Sequence, residues 1–101
     1  MMEWKDEGEI AMDYLRKDWA IRKTESRINT LKKLADRMDM GWTSVQKYFA
    51  DYNNPKFSFI CRYAKAMGIP LEELLSNIAA EITEFDYEYL RETSKQNRNR
   101  R

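Results

Sequence analysis

Helix breakers are scarce in this chain, and their positions divide it. Its 101 residues include three glycines and two prolines, at Gly8, Gly41, Pro55, Gly68 and Pro70. Neither type occurs between Glu9 and Met40. Val45 is the only valine, and no stretch alternates apolar and polar residues as a half-buried strand does. The expectation is an all-α chain of long helices. A chain this short supports one core rather than two, and its 43% of apolar residues is enough to fill it.

Several function classes recede on composition. With 35% charged residues and a mean hydropathy of -0.83, no run approaches the roughly 18 apolar residues of a membrane span. The opening residues, including Glu3, Lys5, Asp6 and Glu7, are too polar for a secretory leader. Cys61 is the only cysteine and has no internal partner, which fits a reducing compartment. Histidine is absent, which removes the usual zinc sites and every His-dependent catalytic arrangement. Acidic pairs abound, but none stands with a recognisable nucleophile, metal set or phosphate loop. No enzyme, no cofactor and no small-molecule ligand is expected.

The net charge of +1 hides a segregated distribution. Residues 28–68 carry Lys32, Lys33, Arg37, Lys47, Lys56, Arg62 and Lys65 against only Asp36, Asp39 and Asp51. Residues 69–94 carry Arg91 against seven acids, and 95–101 are basic again. Local clustering, not the total, sets the field at a contact face.

Apolar spacing locates the helices. Met12, Leu15 and Trp19 form a stripe whose helix ends within the polar run 22–27. Thr30 is a plausible N-cap for Leu31, Leu34, Ala35 and Met38, which stand at i, i+3, i+4 and i+7. The pattern breaks at Asp39, Met40 and Gly41, and a short helix follows over 42–49 with Val45 and Tyr48 on one face. Residues 51–55 read as a loop. Ser58 is the expected cap of a helix bearing Ile60, Tyr63, Ala64 and Met67, which Gly68 ends. Pro70 stands at or just before a last helix, with Glu72 and Glu73 near its positive end.

Two short helices joined by a tight turn suit one use. Ala35 is small enough for the second helix to cross close above it, burying Val45 and Tyr48 against Leu34, Ala35 and Met40. The opposite side of the second helix is then free. A helix about 10–12 Å across fits the major groove of B-DNA, about 12 Å wide.

Residues 28–76 resemble the Cro/C1 type of helix-turn-helix regulator, also called xenobiotic-response-element-like. The likeness rests on Thr30 through Tyr48 and continues in Asn54, Pro55, Lys56 and Phe57, then from Ile60 to Leu75. It implies a five-helix phage-repressor-like helix-turn-helix domain with N- and C-terminal helical extensions. The divisions are an N-terminal extension or first helix (1–27), the DNA-binding core (28–76), a C-terminal helix for dimerisation (77–94) and a basic disordered tail (95–101). It further implies a bacterial or phage-encoded cytoplasmic regulator of transcription, most often a repressor, with double-stranded DNA as partner.

Residue by residue, the resemblance makes Trp42, Thr43, Gln46 and Lys47 the base-reading positions. Gln46 suits adenine, Lys47 guanine, and Thr43 a thymine methyl. Trp42 either meets the groove or packs against its own fold. Thr30, Ser44, Asn53, Asn54 and Lys56 become phosphate contacts that set register. Three positions depart from the family's habit: Leu31 for a glutamine, Asp39 for a glycine, and Phe49 for a glutamate. A second reading keeps the helix-turn-helix as scaffold for a protein-interaction module, such as an antitoxin or a phage-encoded inhibitor.

Leu71, Leu75, Ile78, Ile82, Phe85 and Tyr89 follow a 4-3-4-3-4 spacing, a heptad seam. It pairs with a second chain or packs on this chain's own Met12, Leu15 and Trp19. Homodimerisation through Leu75, Ile78, Ile82, Phe85 and Tyr89 is the preferred expectation, since one recognition helix reads too few bases.

Overall fold

The computed structural model describes residues 3–51 and 54–98. Five helices follow in order: α1 (Glu7–Arg22), α2 (Leu31–Met38), α3 (Trp42–Ala50), α4 (Phe57–Met67) and α5 (Leu71–Arg98), with no strand among the described residues. Each start has a local cause. Asp6 caps α1 by accepting the Glu9 N–H at 2.9 Å, and Thr30 Oγ1 caps α2 by accepting the Lys33 N–H at 3.2 Å. α4 begins earlier than expected. Its N-cap is Lys56, without a side-chain cap, and the Phe59 and Ile60 N–H groups donate to the Lys56 carbonyl. Ser58 therefore lies inside the first turn, because the helix starts almost at once after Pro55. Gly68 closes α4 at φ 70°, a left-handed backbone that glycine adopts without strain.

The core gathers one stripe from every helix. Met12 and Leu15 of α1, Leu34 of α2, Val45 of α3, Tyr63 of α4 and Leu74 of α5 are all essentially buried. Aromatic rings fill its centre. Tyr48 stacks on Phe59 with centroids 3.9 Å apart, and Phe49 packs edge-on to Phe59 and tilted against Trp19 and Tyr63. Phe49 thus takes an apolar place in the domain where a family glutamate would be charged. Deep in this cluster the Tyr63 hydroxyl donates to Asp18 Oδ2 at 2.6 Å, and Arg22 Nε holds the same oxygen at 2.8 Å. Burial, then the bond to Asp18, push the phenol well above its ordinary titration range. This cluster ties α1 to α4.

The seam residues Leu75, Ile78, Ile82, Phe85 and Tyr89 lie on the side of α5 that meets the chain's own N-terminal region. Ile78 is buried in the core, with Leu75 and Ile82 packed against it. Trp4 stands 5.9 Å from the Phe85 ring and 5.1 Å, edge-on, from that of Tyr89. The seam expected to serve a second chain is therefore occupied in cis. The reason is chemical economy: Ile10, Met12 and Leu15 of α1 need an apolar cover, and α5 is the element within reach.

α5 runs without a break through the division expected near residue 76. Of the stretch expected to be a disordered tail, residues 95–98 continue this helix, and 99–101 lie outside the described residues. With 28 residues, α5 gives the molecule its long dimension, 57 × 25 × 24 Å overall.

Candidate nucleic-acid interface

The turn between α2 and α3 is built at Asp39. Its backbone is left-handed, φ 54° and ψ 47°, and the Met40 N–H reaches back to the Ala35 carbonyl at 3.0 Å. Gly41 has an ordinary φ of -65° and caps α3 without a side-chain bond. α3 then turns Val45 and Tyr48 inward. Ala35, 1% exposed, lies in the same buried cluster, as its small size requires for close crossing.

Apart from Phe49, which packs partly buried on the core, the rest of α3 faces solvent. Thr43, Ser44, Gln46 and Lys47 are exposed, and Trp42 is 49% exposed. Of the two placements open to Trp42, the surface is the one it takes. No described contact walls this face in. Thr30, Asn54 and Lys56 are also exposed, while Asn53 lies outside the described residues. The Thr30 oxygen already accepts a backbone N–H, but its hydroxyl proton remains to donate.

Ser44, Lys47 and Lys56 are brought together. They line a cleft of about 550 Å³ between the turn and the start of α4, shared with Gly41, Ser58 and Arg62. Its three cations, with the hydroxyls and the N-terminal end of α4, outweigh the one acid that also lines it, Asp39, and favour an anion. All seven basic side chains of residues 28–68 are exposed, whereas the acids of residues 69–94 sit on α5.

Two arginines that the sequence did not single out brace α3. Arg62 Nη1 of α4 donates to the Met38 and Asp39 carbonyls at 3.0 and 2.8 Å. It satisfies carbonyls that the end of α2 leaves unpaired and pins the left-handed turn. Arg16 of α1 donates to the Phe49 and Tyr48 carbonyls at 2.9 and 3.3 Å, closing the far end of α3. Asp13 holds this guanidinium at 2.9 Å. The helix is fixed at both ends while its outer face is left open.

A family model described as helix-turn-helix matches residues 20–74, more than half of the chain. The chain belongs to the helix-turn-helix family of the Cro/C1 type. No curated protein and no solved structure matches it. The helix-turn-helix family is one of DNA-binding regulators and is typically non-enzymatic. Its matched segment takes in the end of α1, the braced α2–α3 pair, α4 and the start of α5. Among the described residues no helix is long and apolar enough to cross a membrane.

Proposed function

We propose that the chain is a sequence-specific transcriptional regulator, a repressor, that acts as a dimer and reads the major groove with α3. The observation that carries this reading is the split face of α3. Val45 and Tyr48 are buried while Trp42, Thr43, Gln46 and Lys47 stand outward on a helix held at both ends. In this reading Gln46 pairs with adenine and Lys47 with guanine, Thr43 touches a thymine methyl, and Trp42 lies along the groove wall. Thr30, Ser44, Asn53, Asn54 and Lys56 contact phosphates, which position the protein without reading sequence. Arg62 acts indirectly, by fixing the turn that aims α3.

Selection of bound duplexes from a random-sequence pool tests this. The expected result is a short enriched motif repeated in inverted orientation. A pool left unenriched by folded protein contradicts the reading and favours a role as protein-interaction scaffold.

A further inference from the structure

One side of α5 is covered by α1 and Trp4, and the opposite side is bare. By helical periodicity Ser76, Ala80, Thr83 and Tyr87 share a stripe turned away from Ile78, Ile82 and Phe85. All four are exposed, and with Ala79 they line a shallow, largely apolar groove of about 620 Å³. Small side chains along most of it let another helix come close. Tyr87, 66% exposed, and Leu90, 63% exposed and one turn on, offer that helix two large apolar contacts.

Charge decides which helix fits. Glu84 and Glu88 line the same groove, with Glu73 on their edge of the stripe and Asp86 on the other. Among the described residues no ion pair holds Glu84 or Glu88. The cation of the groove, Arg91, lies over the Tyr87 ring at 5.3 Å. These acids repel a nucleic acid or an anionic lipid surface, and a second copy of the chain would bring the same acids to the groove again.

We propose that this face of α5 docks an amphipathic helix of another protein, one whose apolar stripe is bordered by lysine or arginine. The stripe lies in the groove, and two cations one turn apart meet Glu84 and Glu88. α5 packs on α1 and α4, so an occupied groove leaves the outer face of α3 open. Docking does not depend on the DNA reading; joined to it, docking brings a second protein to the duplex.

The test titrates the full chain, without DNA, with a fluorescent Leu/Lys peptide whose leucines stand at i, i+3, i+4 and i+7 with lysines beside them. Its controls are a scrambled peptide of the same composition and one with glutamate for lysine. The ordered basic peptide is expected to bind about tenfold or more tighter than either. Ala80→Trp, which blocks close approach, and Glu84→Lys with Glu88→Lys, which reverses the acidic edge, should each weaken it about tenfold. Melting should not change, because these positions lie outside the core. Glu3→Lys with Glu25→Lys reverses as many exposed charges elsewhere and should have little effect. An ordered peptide that binds no better than the scrambled one, or equally well to Ala80→Trp, overturns the proposal. So does equal loss from the two charge reversals. Self-association of the wild type that Ala80→Trp abolishes gives the groove to a second copy and overturns it as well. Duplex selection is a separate readout, so failure of the DNA reading leaves these outcomes distinct.

Discussion

Asp39 and Gly41 have exchanged the places that backbone chemistry would give them. The left-handed position belongs to aspartate, at φ 54°, and glycine stands where any L-residue fits. A Cβ at Gly41 would meet nothing nearer than Ser44 Oγ at 4.0 Å. Asp39→Gly should therefore raise stability by about 0.5–1 kcal/mol, the relief of left-handed strain less glycine's own entropy. Gly41→Ser should add about 0.5–1 kcal/mol by giving α3 the side-chain cap it lacks. Urea midpoints measure both. Tyr63→Phe should cost about 1–3 kcal/mol, since Asp18 loses a buried donor. Because the folded phenol titrates above its unfolded counterpart, its contribution is whole below about pH 10 and lost as pH rises beyond it. Wild type should then lose stability in that alkaline window, and Tyr63→Phe should lack that part of the loss. The aspartate's tolerance for this backbone was legible from residue type. The Tyr63–Asp18 bond was not, because its partners are separated by 45 positions and no periodic pattern relates them.

At the scale of elements, the apolar stripes placed α2 and α3 because their period is intrinsic to a helix. What aims α3 was illegible, since Arg16 and Arg62 reach backbone carbonyls 23 to 33 residues away, and a carbonyl leaves no mark in a sequence. Arg62→Met should lower stability by about 1–3 kcal/mol through the carbonyls it leaves uncapped. It should also weaken binding to a selected duplex more than to a scrambled one, as comparative titration would show. The seam of α5 teaches a different limit. Heptad spacing states that a helix has an apolar partner and is silent on which chain supplies it. Here α1 and Trp4 supply it. Ser58 failed as a cap because Pro55 had already opened the way for α4 at Phe57.

For the whole molecule, charge is divided by region: cations on the helix-turn-helix and acids along α5. This keeps the C-terminal helix away from a polyanion while the basic core approaches it. Affinity for any duplex should fall with salt, and Lys56→Ala should weaken matched and scrambled duplexes alike while reducing the salt slope by about 1. The most direct measurement is the affinity of Gln46→Ala and Lys47→Ala for the selected duplex, set against a scrambled one. Each variant should lose about 1–3 kcal/mol on the matched sequence while melting as wild type does. Matched affinity unchanged in both would contradict base reading by α3.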